Sequence, residues 1–519
     1  MKKQLLSLVL MMLPLVVSAI TISTRIDGIC YNLDSKNKTA QVAQWWSSGV
    51  KYVGDIVIPS TVVKREVEYT VTSIQSRAFL DCDELTSVTI PNTVTSIGSY
   101  IFEDCTNLAS IVVEEGNPTY DSRENCNALI ETANNRLITG CNGTTIPNSI
   151  TTIEQEAFKG FTGLTTIIIP DGVTTIKSDA LRDCSGLTFV YLGKGLVSIP
   201  ECLFQGCDNL KTIEINNNAL VSRQQTDNEN GNLISIQWML GNSSVEEIIL
   251  GEDVTSIGDN AFSGCGMHSI KMSDSVTSIG DYAFNGCSQL TSIELSNNLE
   301  YIGKWAFTIC ERLPSITIPE SVRCIDQIAF YWCNRLTKVE INSNEVAARE
   351  NEQFYTLRSC FGPQVKEFVF GENVRKIAWI ACSESENLTT VTISSNLTCV
   401  EDSAFHKCTS LADMYCYAEQ VPEMGKDIFV DSNYRNATLH VPAASVEAYR
   451  NAEQWKDFGS IVALTGEDPK PTAVDAMEYA PMATNKAIYD LQGHQLAQPK
   501  RGLNIIRMSD GKTRKVIVK

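Results

Sequence analysis

The residues of this 519-residue chain with the most evident capacity for chemistry are its eighteen cysteines. Thiolates attack carbonyls, hold soft metals and cycle through disulfides. Half of these cysteines, however, stand at one place in a recurring phrase. VTSIGDYAFNGC (Val276 to Cys287) restates VTSIGDNAFSGC (Val254 to Cys265), and VTSIGSYIFEDC (Val94 to Cys105) does so again. Cys82, Cys105, Cys184, Cys207, Cys265, Cys287, Cys310, Cys333 and Cys408 share this register, and two further copies carry Phe161 and Ser385 there. A position that accepts Cys, Phe and Ser serves packing, not nucleophilic attack or metal ligation. The nine are expected to form a structural ladder of buried thiols, each a small hydrophobe with a weak donor where the chain turns. Cys126 and Cys141 flank an apparent hairpin and are candidates for a bridge. Cys324 and Cys399 are expected near the surface.

Other chemistry is sparse. His268, His406, His440 and His494 are the only histidines, and none lies at metal-ligand spacing with cysteines or carboxylates. No nucleophile elbow, phosphate-binding loop or dinucleotide fingerprint occurs. Carboxylates abound but never recur as a pair. The chain is therefore read as a non-enzyme with no catalytic residue, no metal and no cofactor. With 42 basic and 61 acidic residues it carries −19, a field that repels phosphate backbones, so nucleic acid is not an expected partner. The opening MKKQLLSLVLMMLPLVVSA joins two lysines, a short apolar run and small residues for cleavage after Ala19. It reads as a signal peptide over 1–19, and no other apolar run is long enough to span a membrane. An exported protein that does not cross the membrane is expected.

The elements follow from the repeat. Copies of V-T-S-I-x-x-x-A-F-x-x-C-x-x-L-x-x-I-x-I begin at residues 71, 94, 150, 173, 196, 254, 276, 299, 322, 374 and 397, mostly 23 residues apart. Three longer intervals, 117–149, 219–253 and 345–373, each end in an apolar phrase of their own and read as extended repeats. Within a copy, Leu108 to Val113 alternates as a short strand, Val94 to Ile97 is a second extended piece, and the Ala-Phe-x-x-Cys stretch is expected as a tight helical turn. No copy of this length encloses a core, so copies must stack. The fold class expected is a β-rich solenoid of about fourteen coils, with parallel strands of successive coils about 4.8 Å apart.

Outside the core, the middle position of each strand faces outward. These positions run from Thr89 and Val112 through Ile168, Tyr191, Glu214, Ile249, Lys271, Glu294 and Thr317 to Glu340, Val369, Thr392 and Tyr415. They vary in size and charge over a monotonous core, as an interaction surface does. Ile168, Phe189 and Tyr191 are expected to form an exposed apolar cluster and are the candidate partner-binding residues. A glycan-binding surface and a spacer without ligand are the alternative readings. The former calls for gathered aromatics, which are dispersed along this sequence.

VTSIGDYAFNGC and LTSVTIPNTVTSI resemble the BspA-like leucine-rich repeat family of bacterial surface proteins, over about Tyr52 to Leu464. The resemblance implies a right-handed superhelix outside the cell and adhesion to host matrix or bacterial surface proteins. Residues 20–70 look like the family's N-terminal cap with a first coil, 71–420 like its repeats, and 421–466 like its C-terminal cap. Trp455 and Phe458 would cover the last coil. IYDLQGHQL and RGLNIIRMSDGKTRKVIVK are similar to sorting tails of the type IX secretion pathway, which implies attachment to the outer surface. This segment, 467–519, follows a Pro-containing linker. It reads as three small strands with a turn at Asp510-Gly511. Charge changes there too: the first nineteen residues carry +2 and residues 470–519 carry +5, leaving −26 for 20–469.

Overall fold

The computed structural model describes residues 21–44, 51–222, 225–226, 233–234, 236–240, 244–349, 355–470, 487–489, 495–496, 502–507 and 513–518. The expected signal peptide and the Asp510-Gly511 turn lie outside these residues. The chain divides into two compact units, residues 1–338 with 353–365, and residues 339–352 with 366–519.

The first unit begins with an antiparallel meander, Thr21–Ile26, Ile29–Asp34 and Thr39–Val42. Asp27 and Gly28 join the first two strands, both at positive φ, the two-residue turn that matches strand twist. Thr39–Val42 then pairs in parallel with Val67–Ile74, and from there parallel pairing takes over. Each regular coil except that from 196, which lacks the short one, contributes two strands to two separate sheets. The longer strands pair in register as Thr166–Ile169, Phe189–Leu192, Thr212–Ile215, Glu247–Leu250, Ser269–Met272 and Ser292–Glu294. The two-residue strands pair as Ser256–Ile257, Ser278–Ile279, Tyr301–Ile302 and Cys324–Ile325. These parallel sheets built from a repeated phrase make a repeat solenoid. The extended repeat at 117–149 does contain a hairpin, Leu129–Glu131 against Arg136–Thr139, whose second strand rejoins the parallel ladder at Thr152–Ile153.

In the second unit, Glu367–Phe370, Thr390–Ile393, Asp413–Cys416, Thr438–Val441 and Ser460–Ala463 form one parallel sheet. Lys376–Ile377, Cys399–Val400 and Glu423–Met424 form another. Trp455 is buried, and its ring and that of Phe458 meet Phe429 edge-on. The described residues of the tail form four strands where three were expected: Ala487–Tyr489, Gln495–Leu496, Gly502–Arg507 and Thr513–Val518, all antiparallel.

The Ala-Phe-x-x-Cys stretch corrects the sequence reading: it is not helical. Two residues in each coil are left-handed, the one before Ala and the one before Cys. In the coil from 276 these are Tyr282 (φ 57) and Gly286 (φ 75). The inversions redirect alternate N–H groups. Tyr282, Phe284 and Gly286 donate to the carbonyls of Lys304, Ala306 and Thr308 in the next coil, while Asn285 and Cys287 close turns within their own. A helix would aim every N–H along its own axis and leave the next coil unbonded. The Phe rings stack in consequence, with centroids 5.2, 4.9 and 4.8 Å apart from Phe262 through Phe284 and Phe307 to Phe330.

The nine ladder cysteines are all buried and unbridged. Seven of the thiols, from Cys105 to Cys408, donate backward to the preceding coil's carbonyl at the Phe register, as Cys184 to Phe158 at 3.0 Å, Cys207 to Leu181 at 3.1 Å and Cys333 to Phe307 at 3.0 Å, while Cys82 bonds Leu80 in its own coil. Burial pushes Cys287 and Cys408 up to about 12, so they remain thiols at neutral pH. Cys126 and Cys141 are likewise buried and unbridged, and Cys324 and Cys399 are half-buried. Thiol titration of the unreduced protein in denaturant is expected to count at least the nine ladder groups. Reagent added to the native protein should reach few of them. Complete oxidation of all eighteen cysteines would exclude the thiol ladder.

Candidate functional site

Alternation along the strands from Thr166–Ile169 to Ser269–Met272 buries two residues of each and turns the other two outward. In-register pairing then lines the outward residues up across coils. One ladder runs Ile168, Tyr191, Glu214, Ile249, Lys271, Glu294, and its neighbour runs Thr166, Phe189, Thr212, Glu247, Ser269, Ser292. Ile168 and Tyr191 are thus direct neighbours, and Phe189 lies on the same strand as Tyr191, opposite Thr166. The structure brings the three together but leaves them half-buried, not exposed as expected. Side chains in register on paired strands crowd one another, on one side of Ile168 and on both sides of Phe189 and Tyr191, which covering by the core alone does not anticipate. Burial pushes the Tyr191 phenol up to about 12, opposed by the Asn216 side chain.

Glu214 sits between Tyr191 and Ile249, and burial raises its carboxyl above the ordinary value of 4.5. Farther along the ladder the charges are satisfied: Lys271 and Glu294 form an ion pair at 2.6 Å. The face is therefore apolar at one end, with a single desolvated carboxylate, and ionic at the other.

The corresponding face of the second unit differs. Glu340, Val369 and Thr392, expected to face outward, are buried. The Tyr417 hydroxyl donates to the Pro469 carbonyl, so chain beyond the last strand returns along this side. Tyr415 stacks on His440 with centroids 4.2 Å apart, and His440 Nε2 lies 3.1 Å from Asp413 Oδ1. His406 meets Ser383 and Asp431, while His494 is outside the described residues. Among the described residues no group of three or more His, Cys, Asp or Glu is placed to hold a metal, and no helix is long and apolar enough to cross a membrane.

Sequence reasoning missed a second feature, on the turn face of the first unit. Residues dispersed in sequence converge there because coils stack. Tyr282 and Trp305 occupy the left-handed position before Ala in adjacent coils, and their rings lie 6.1 Å apart and nearly parallel. Trp332 occupies the left-handed position before Cys, 6.3 Å from Trp305 and 5.0 Å from Tyr331. Trp332 is 53% exposed and Tyr282 39%. Elsewhere these positions hold residues as different as Arg77, Glu156, Asn260, Gly264, Ile309 and Lys407. The left-handed conformation costs an ordinary L-residue about 1–2 kcal/mol. Large exposed rings recover little of that through burial. The available signal was the run of aromatic residues at places in the phrase where other coils carry residues as different as Arg77, Glu156 and Lys407.

The Glu214 environment has a pH consequence. Because its folded pKa is raised, the folded chain keeps this proton where the unfolded chain has released it. The stability so contributed is complete below 4.5 and is lost as pH rises through the folded value. Glu214→Gln, which never ionises, is expected to melt above the natural protein at pH 7 and to match it below about pH 4. Equal melting temperatures at pH 7 would contradict a desolvated carboxylate on this face.

Comparison with known proteins agrees with the repeat architecture. The family model of the BspA type leucine-rich repeat region (6 copies) matches residues 60–135, 138–239, 234–360 and 357–453. No curated protein matches the chain. Among solved structures, a leucine-rich repeat protein from Bacteroides ovatus is 21% identical, covering 85% of this chain and 100% of its own, with a TM-score of 0.30. A leucine-rich cell surface protein from Faecalibacterium prausnitzii is 22% identical over 76% of this chain and 94% of its own, with a TM-score of 0.27. A leucine-rich repeat protein from Eubacterium ventriosum is 18% identical over 60% and 95%, with a TM-score of 0.30. With its repeated phrase, its stacked parallel strands and a family model matching more than half of its length, the chain belongs to the BspA-type leucine-rich repeat family.

Proposed function

We propose that this is an exported protein of the outer cell surface that binds other proteins through the strand face of its first unit, in adhesion to host matrix or bacterial surface macromolecules. It performs no catalysis in this reading. The observation that carries it is the cluster of Ile168, Phe189 and Tyr191 on paired strands, beside the desolvated Glu214. Folding does not require bulk there, since Val112, Lys271 and Glu294 hold the same register in other coils. A family of bacterial repeat proteins supports the class of function.

The same reading extends to the architecture and its ends. The repeats form a right-handed superhelix of about fourteen coils, with 20–70 and 421–466 as caps that shield apolar core and unpaired strand edges. The segment 467–519 acts as a sorting tail, in keeping with its charge reversal and its small antiparallel sheet.

Two experiments test these statements. Partners would be captured with the full chain from host matrix and bacterial surface extracts. Phe189→Ser combined with Tyr191→Ser should then weaken binding by a factor of tens or more, taking about 2 kcal/mol for each aromatic anchor at an interface. The half-buried rings should cost about 1 kcal/mol of stability each. Unchanged binding with a much lower melting temperature would assign the cluster to sheet packing alone. Truncation after Thr465 should leave the main melting transition in place and remove the protein from the cell surface. Loss of cooperative unfolding on truncation would instead make the tail part of the fold.

A further inference from the structure

Three lysines stand on the strands around Glu214 or at their ends, and each is already paired. Lys194 lies 3.9 Å from Asp171 and 3.7 Å from Asp253, Lys211 lies 2.5 Å from Glu246, and Lys271 lies 2.6 Å from Glu294. The polar neighbours of Glu214 on its own strand are engaged too. The Thr212 hydroxyl donates to Glu247 at 3.4 Å, and the Asn216 amide donates to Asp253 at 2.7 Å. Glu214 itself stands in register between Tyr191 and Ile249, half-buried, with no hydrogen bond or ion pair to any described residue. Folding does not explain an acid there, since Ile249 and Val112 hold the same register. A carboxylate partly stripped of water and left without a partner destabilises the free chain.

We infer that the partner places one basic side chain, an arginine or a lysine, on this face, with its charge on the Glu214 carboxylate and its aliphatic stem along Tyr191 and Ile249. The inference rests on the reading of this face as a protein-binding surface and names the chemistry of what binds. Charge complementarity carries it. The face offers one unpaired anion within an apolar surround, and residues 20–469 carry −26, a field that draws cationic segments in and turns anionic ones away. The surround fits the same side chain. A cation is attracted to the face of a tyrosine ring, and the methylene stem of lysine or arginine covers apolar surface while its head keeps a charge partner. A wholly apolar partner would complete the burial of Glu214 without pairing it, which costs more than the contact returns. A metal ion is not the occupant, because a single carboxylate supplies too few ligands and no group of three or more ligating residues lies among the described residues. The same ladder shows the solution from within the chain at Lys271 and Glu294, where both charges are its own.

The test uses the full chain and a panel of short synthetic peptides with the same leucine and tyrosine flanks and a single central residue that is arginine, lysine, norleucine or glutamate. The arginine and lysine peptides are expected to bind about tenfold more tightly than the norleucine peptide, as one hydrogen bond to a charged group should provide. Glu214→Gln keeps the shape of the side chain and removes the charge. It should bring the basic peptides down to the level of the norleucine peptide and leave that peptide's affinity unchanged. Glu214→Lys should reverse the order, so that the glutamate peptide binds best of the four. The Phe189→Ser, Tyr191→Ser double variant should weaken the norleucine peptide as well, because it removes apolar contact. The inference is overturned if the basic peptides bind no better than norleucine, or if their advantage survives Glu214→Gln. Either result, with captured proteins still lost by the double variant, leaves the protein-binding face standing and removes only the basic side chain. If captured proteins bind the double variant as they bind the natural chain, the face itself is excluded and the inference falls with it.

Discussion

The rest of the molecule depends on one backbone arrangement, the turn in which alternate N–H groups bond forward to the next coil. Buried amides must find partners, and a coil of this length cannot supply them all from within. Tyr282, Phe284 and Gly286 find theirs one coil on, and Phe262 and Gly264 bond forward in the same way, to Ala283 and Asn285. The arrangement requires two left-handed residues per coil. It sets the distance between coils, and the distance sets the packing: Phe rings about one strand spacing apart, and thiols near enough to reach the carbonyl behind them.

Packing inside the coil is consequently uniform. Phe284, Cys287 and Leu290 are wholly buried, and Phe307, Cys310 and Leu313 repeat the same three contacts one coil later. The thiol suits its place because it fills a small volume and still offers a weak donor to a backbone oxygen. Threonine hydroxyls act similarly at the coil edge, where Thr188 bonds the Thr165 carbonyl and Thr291 that of His268. Stability in such a structure is a sum of like neighbour contacts. That uniformity leaves outward positions free to vary without cost to the core.

The two outward faces are governed differently. On the strand face, side chains stand in register and crowd one another, so an aromatic residue gains burial and a carboxylate such as Glu214 loses solvent. On the turn face the backbone is strained for any residue with a Cβ. Asp, Asn and Gly are the inexpensive choices there, and Tyr282, Trp305 and Trp332 are expensive ones. Choices that folding does not reward are where function is most economically sought.

Much of this was legible in the sequence. The period of 23 residues, the inward residues and the paired short strands follow from the phrase itself, because identical phrases must make identical contacts. The ladder register of Cys82 to Cys408 was legible for the same reason: its occupants had to fit one cavity. The sequence also carried the hairpin at 117–149 and the alternation in Gly502–Arg507 and Thr513–Val518. Tertiary structure alone decided the rest. A-F-x-x-C reads locally as a helical turn, yet bonding to the next coil demands two inversions that no local propensity records. Ile168, Phe189 and Tyr191 point outward as their alternation requires, but the side chains in register beside them half-bury them. Thr392 has the same local pattern and is buried completely. Tyr282, Trp305 and Trp332 lie more than twenty residues apart, at two different places of the repeated phrase. They form one surface only because each coil is stacked on the one before it, a distance relation that sequence order does not contain.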